Sequence, residues 1–255
     1  MRIKLTVAYD GTDFCGWAAQ TGRRTVQGTL REAVRRISGE DVEIAGASRT
    51  DSGAHAEGQV AHFDSEVDIE PVKWARVLNK VLEPDVRVVS STQMADDFNS
   101  RFWAKDRFYR YRFLIGQEDP FRSRFVYGQW SPLDLSRMRG AAKALVGEHD
   151  FLAYTEELGP GVENTVRTLF SVEVKAVRDE IWLEVVGTAF LRGMMRRMAG
   201  GLLEVGLGRR PVESIGQLLE SEKRESLQWP VVLPARGLTL VRVRYGRHPR
   251  DNRGC

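Results

Sequence analysis

The stretch Arg49-Thr50-Asp51-Ser52-Gly53 is where this sequence places residue types able to do chemistry. It lies within residues 45–63, AGASRTDSGAHAEGQVAHF, where glycines and other small residues are interspersed with an arginine, an aspartate and two histidines. That composition is too polar for a core element and reads as a shaped loop. With Gly53 in a left-handed conformation the backbone turns sharply and presents the Asp51 carboxylate at the turn. Arg49, two residues earlier, is the expected partner to hold that carboxylate ionised and aimed. A carboxylate so held can attack an electrophile or stabilise a positive centre. Asp-Ser-Gly is equally an ordinary turn in which the aspartate bonds its own backbone, so the company the loop keeps has to decide.

Part of that company is arginine. The net charge of +3 does not announce a nucleic-acid binder, but the arginines gather in a few places: Arg23-Arg24, 101–112, Arg122 and Arg124, 192–197, Arg209-Arg210 and 242–253. Arginine offers a planar fork for phosphate and a face that stacks on bases, so clusters interleaved with aromatics favour RNA, with a solvated basic face as the bland alternative. In RFWAKDRFYRYRFLI (101–115) the two-residue period puts Tyr109, Tyr111 and Phe113 on one side of a strand. Phe108, Arg110, Arg112 and Leu114 take the other. The two cysteines, Cys15 and Cys255, have no CxxC or Cys/His spacing, which argues against a disulfide framework and a zinc site.

The elements that must position these groups follow from periodicity. Ile3, Leu5, Val7 and Tyr9 alternate with polar residues as a half-buried strand, ended by Asp10-Gly11-Thr12. Thr25 caps a helix carrying Val26, Leu30, Ala33, Val34 and Ile37 on one face, and Ser38-Gly39 stops it. A short strand, 42–44, enters the Asp51 loop and another, 59–63, leaves it. A helix from Pro71 buries Ala75, Leu78, Val81 and Leu82, and a strand follows over 86–89. In the second half, Asp134 caps a helix with Leu135, Met138, Ala142 and Leu145, and 148–163 is a loop whose Gly159-Pro160-Gly161 suggests mobility. Thr168, Phe170, Val172, Val174 and Ala176 alternate on a strand that turns at Arg178-Asp179 and returns through Ile181, Leu183 and Val185. Residues 190–205 form a helix with Leu191, Met194 or Met195, Met198, Leu202 and Val205 inward, on which Arg192 and Arg196 are neighbours one turn apart. A short helix around Ile215, Leu218 and Leu219 and a strand over 238–245 complete the chain.

These elements predict an α+β fold: two similar lobes, 1–104 and 105–247, sharing an extended, mostly antiparallel sheet flanked by helices, with a basic central cleft. Residues 248–255 read as a flexible tail. With 255 residues and 42% hydrophobic content the chain can bury a substantial core. No stretch has the apolar length of a membrane span and the N-terminus has no signal-peptide pattern, so the expected location is cytoplasmic.

Three motifs in order, SRTDSGAHA (48–56), RFWAKDRFYRY (101–111) and FLRGMMRRMAGGLLEVGLG (190–208), resemble those of the TruA-type tRNA pseudouridine synthases. The likeness continues through YDG (9–11), FCGW (14–17), TVQ (25–27) and ARGLTL (235–240). The resemblance implies an enzyme that isomerises uridine to pseudouridine in the anticodon stem-loop of tRNA, without cofactor or metal, as a homodimer. It implies Asp51 as catalytic nucleophile, Tyr109 lying over the target uracil, and Arg196 pairing with the aspartate. Arg49 is then expected to bind substrate by filling the gap left when the nucleotide leaves its stack, and Lys105, Arg107, Arg110, Arg192 and Arg197 to contact RNA.

Two positions depart from the family's pattern: Arg197 stands where asparagine is common, and Ser48 where glycine often precedes the RTD motif. Neither removes a catalytic group. Two rival readings remain. Asp51-Ser52-Gly53 also spells the aspartic-protease triplet, but that chemistry needs two such carboxylates sharing a proton and the chain has one. An RNA-binding module without catalysis would account for the basic clusters but leaves Asp51 unexplained.

Overall fold

Strict alternation produces the first strand. β1 (Arg2–Tyr9) buries Ile3, Leu5, Val7 and Tyr9 and leaves the intervening residues half-exposed. Each fully buried aliphatic side chain there contributes roughly 1.5–3 kcal/mol. The computed structural model describes residues 1–155, 164–220 and 230–246, so the Gly159-Pro160-Gly161 segment and the 248–255 tail lie outside the described residues. The chain forms two compact units, residues 1–106 together with those from 240, and residues 107–239. Both are mixed α/β, with mostly antiparallel sheets flanked by helices, the class the sequence patterns predict.

In the first unit α1 (Val26–Ser38) starts where the Thr25 hydroxyl accepts from Gly28 N and ends at Gly39 in the left-handed region, as its caps predict. β2 (Ala45–Gly46) is the strand that enters the Asp51 loop, so the expected strand at 42–44 is not formed there. β3 (His55–Asp64) leaves the loop and pairs antiparallel with β1. The predicted helix from Pro71 is a 3-10 turn, Pro71–Lys73, followed by α2 (Trp74–Leu78). It stops there because the Asn79 side chain exchanges two hydrogen bonds with Val88 of β4 (Val86–Met94), at 2.8 and 2.9 Å, and so leaves the helix to serve the strand. β4 pairs antiparallel with β1.

The second unit holds β5 (Asp106–Ile115, from Arg107 on), β6 (Tyr127–Gln129), α3 (Leu135–Ala142), β7 (Gly147–Asp150), β8 (Val166–Val177) and β9 (Glu180–Gly187). β9 pairs antiparallel with both β5 and β8, β7 extends that sheet beyond β8, and β6 runs parallel to β5. The stretch 148–163 is therefore not wholly loop: its first residues belong to β7, bonded to β8. Of the predicted alternating set on β8, Val172 and Val174 are buried; Ala176 beyond them is exposed, and before them Leu169 is buried instead of Phe170. A register shift between Leu169 and Ser171 inserts one residue, which exchanges the two faces of the strand.

α4 (Met194–Gly206) begins four residues later than predicted, because Gly193 adopts φ 71° at its N-cap. Arg192 thus precedes the helix, and it is not a one-turn neighbour of Arg196 on a helical face. Met194, Met195 and Met198 are all buried. After α5 (Ser214–Gln217), β10 (Leu238–Arg244) returns the chain to the first unit, where it lies beside β3. Among the described residues no helix is long and apolar enough to cross a membrane.

Candidate active site

The Asp51 loop is built on the turn that follows β1. Gly53 has φ 80°, the left-handed conformation that the sequence requires of it. Its N–H donates to Phe14 O at 3.2 Å, and Ala54 N donates to Asp51 O at 3.1 Å, closing the turn around the aspartate. Thr50, the residue before Asp51, is held from two sides. Trp17 N donates to its carbonyl at 3.1 Å, and its hydroxyl lies 2.8 Å from the Tyr9 hydroxyl, with both side chains buried. Ser52 Oγ donates to Phe14 O at 3.2 Å. Asp51 itself is half-buried.

Two further clasps fix the loop ends. The fully buried Gln59 amide grips Ser48, its Nε2 donating to Ser48 O at 2.7 Å and its Oε1 accepting from Ser48 N at 3.3 Å. The Gly11 N–H donates to His55 Nδ1 at 3.0 Å, and the Asp10 carboxylate lies 3.2 Å from the same nitrogen. Gly11 sits so close to Ala54 that a Cβ there would lie 1.9 Å from the Ala54 carbonyl oxygen. The carboxylate is thus presented by a loop whose backbone is tied to 9–17 on one side and to β3 on the other.

Arg49 is exposed, and among the described residues its side chain forms no hydrogen bond or ion pair, so it does not hold Asp51 as expected. The cause is local. Thr50 is turned inward by Tyr9, which leaves the preceding side chain facing solvent. Lys105, also in this unit, is exposed as well.

The second unit carries the other predicted groups. Tyr109 lies on β5 opposite Val185, is 5% exposed, and meets Phe190 edge-to-face with ring centroids 4.8 Å apart. Tyr111 and Phe113 are buried on the same face, as the alternation predicts. Arg196, in the first turn of α4, is half-buried and donates from Nε to Leu233 O at 2.6 Å. Arg197 donates from Nη1 to Pro230 O at 3.1 Å, and the Tyr111 hydroxyl donates to Pro234 O at 2.8 Å. Three carbonyls of one segment, 230–234, are therefore held by Arg197, Arg196 and Tyr111. Burial pushes the Tyr111 hydroxyl's pKa well above the ordinary range, so it remains a donor. By this geometry Arg197 is a tether for that segment.

The remaining arginines divide. Arg192 is exposed, and its carbonyl accepts from Thr155 Oγ1 at 3.0 Å. Arg107 is buried and donates to Thr188 O at 2.6 Å. Arg110 pairs with Glu184 at 2.7 Å and stacks on Trp182, with its guanidinium 4.0 Å from the ring centroid. Arg112 pairs with Glu180 at 2.7 Å, and Lys175 reaches Glu184 from β8. The basic face read from the alternation is a cross-strand ladder of alternating charge. Sequence reasoning missed Tyr9, Gln59 and His55; the only signal for Tyr9 was its place beside Asp10-Gly11.

A family model described as tRNA pseudouridine synthase matches residues 5–102 and 141–246. The chain is 39% identical over 249 residues to a tRNA pseudouridine synthase A from Maridesulfovibrio salexigens, covering 96% of this chain and 90% of that one. It is 40% identical over 248 residues to the protein of the same name from Brevibacillus brevis, covering 96% and 99%. Against that from Geobacillus kaustophilus it is 41% identical over 249 residues, covering 96% and 94%.

Proposed function

The chain belongs to the tRNA pseudouridine synthase family, a family of isomerases, and we propose that it converts uridine to pseudouridine in the anticodon stem-loop of tRNA with Asp51 as nucleophile. The observation that carries the assignment to Asp51 is the way its loop is held. Thr50, Ser52 and Gly53 are each bonded to residues of 9–17, so the one carboxylate of the RTD sequence is aimed by backbone that cannot easily shift.

The chemistry fits these residue types. The C1′–N1 bond of the uridine breaks, the uracil rotates, and C1′ bonds to C5. The C5 proton then leaves and N1 gains one, so the product is an isomer. Asp51 attacks or stabilises the electron-poor intermediate. The Tyr109 ring covers the uracil while it is detached, and its hydroxyl assists removal of the C5 proton. Arg196 is assigned as the counter-charge to the nucleophile. Arg49, exposed and without a protein partner among the described residues, is suited to enter the base stack in place of the flipped nucleotide. Lys105 and Arg192, both exposed, are assigned to the RNA backbone, with Arg107, Arg110 and Arg197 engaged by their protein partners. The reading asks for no cofactor and no metal, and includes a homodimer acting in the cytoplasm.

Tritium release from an unmodified tRNA transcript labelled at uridine C5, with wild-type protein and Asp51→Ala side by side and no metal added, tests it. Release lost in the variant, with tRNA binding retained, is the expected result. Equal release from both proteins would remove Asp51 from the mechanism. No release from either, with tRNA still bound, would favour an RNA-binding module.

A further inference from the structure

The first unit exposes two consecutive aromatic side chains, Phe102 at 79% and Trp103 at 43%. A single exposed apolar residue needs no explanation, but two adjacent rings set in a rigid turn do. The Asn99 side chain accepts from the backbone N–H groups of Arg101 and Phe102 at 2.9 and 3.0 Å, and Trp103 N donates to Asn99 O at 3.0 Å. The Trp103 ring stands edge-on to the fully buried Phe98, centroids 5.6 Å apart. The Trp103 ring is therefore held at the surface by packing beneath it, and Phe102 by the bonded turn that carries it.

Cations accompany them. The Arg101 guanidinium lies 5.7 Å from the Phe102 centroid, and Lys105 is exposed two residues beyond Trp103. Flat rings carrying cations at their margins are the surface that unpaired nucleotides select: bases stack on the rings while phosphates meet the charges.

We infer that Phe102 and Trp103, flanked by Arg101 and Lys105, form a stacking platform for unpaired bases of the tRNA substrate, separate from the nucleophile loop. The inference rests on the proposed function for the identity of the RNA. Because Phe102 is mostly exposed, its replacement leaves the fold intact.

The test measures Kd for an unmodified tRNA transcript and for a fully paired duplex, with wild type, Phe102→Tyr, Phe102→Leu, Trp103→Ala and the exposed-apolar control Val89→Ala. Phe102→Leu and Trp103→Ala are each expected to weaken tRNA binding roughly tenfold. Phe102→Tyr and Val89→Ala are expected to keep it, and duplex binding is expected to move little. An unchanged tRNA Kd in both Phe102→Leu and Trp103→Ala overturns the platform. So does a change in sedimentation of the Phe102→Leu protein without a change in RNA binding, which would make the face a protein contact. C5 tritium release from wild type is scored separately: its absence, with Kd still sensitive to Phe102, would sink the synthase reading and leave the platform standing.

Discussion

The Tyr9 hydroxyl lies 2.8 Å from Thr50 Oγ1, and both groups are buried, one at the end of the first strand and the other next to Asp51. This bond ties the position of Asp51 to the sheet. Tyr9→Phe leaves a buried threonine hydroxyl without that partner, a cost of about 1–3 kcal/mol. We expect a correspondingly lower midpoint in urea and a larger fall in kcat than rise in KM for tritium release, because the loop is loosened and the RNA contacts are kept. A variant with wild-type kcat would show that the bond serves stability alone.

Gly11 gives a steric counterpart. A Cβ at that position would lie 1.9 Å from the backbone oxygen of Ala54, whereas one at Gly22 meets nothing within 4 Å. Gly11→Ala must displace the Asp51 loop or the turn after β1. Its expected effect is loss of turnover by two orders of magnitude or more, on the scale that a displacement of about 1 Å produces. Gly22→Ala carries only the left-handed backbone cost of roughly 1–2 kcal/mol and is expected to retain turnover. Circular dichroism of both proteins separates a moved loop from a lost fold.

What the sequence made legible was periodic or punctuated. β1, the capped ends of α1 and the left-handed Gly53 could be read because alternation, Thr25, Gly39 and the Asp-Ser-Gly turn act locally. The Tyr9–Thr50 bond joins residues 41 apart and leaves no mark in either segment. The start of α4 was misplaced because Phe190 and Leu191 continue the apolar period through residues that are not helical, and Gly193 sets the true boundary. The face of β8 was misread because one bulged residue reverses the alternation without changing composition. Arg49 was assigned to Asp51 by proximity in sequence, but the inward turn of Thr50 points it away.

Tyr109, read from the resemblance as lying over the target uracil, is buried on β5. Its packing against Phe190 decides which variant separates activity from stability. Tyr109→Leu removes an edge-to-face ring contact as well as the hydroxyl, so it is expected to lose stability by about 1–3 kcal/mol along with activity. Tyr109→Phe keeps the ring and its contact. The expected result is a thermal midpoint near wild type with tritium release reduced by about 10²–10⁴-fold, the range of a lost general acid or base. Full release from Tyr109→Phe would confine the residue's role to covering the base.

The ladder on β5, β8 and β9 sets an acid limit on stability. Burial pushes the pKa of Glu184 up, but its bonds to Lys175 and Arg110 outweigh burial and leave it below the ordinary value. Glu180 behaves alike, with Arg112 and the Trp182 indole N–H as its donors. A carboxylate whose pKa is lower in the folded state favours folding above its unfolded value, and that contribution is lost as pH falls through the folded value. The thermal midpoint is therefore expected to decline as pH drops below about 4.3, the unfolded glutamate value. Glu180→Gln leaves Arg112 without its charge partner, so it is expected to lower the midpoint at neutral pH and flatten the acid decline. A midpoint that falls as steeply with acid in Glu180→Gln as in wild type would assign the acid sensitivity to other carboxylates.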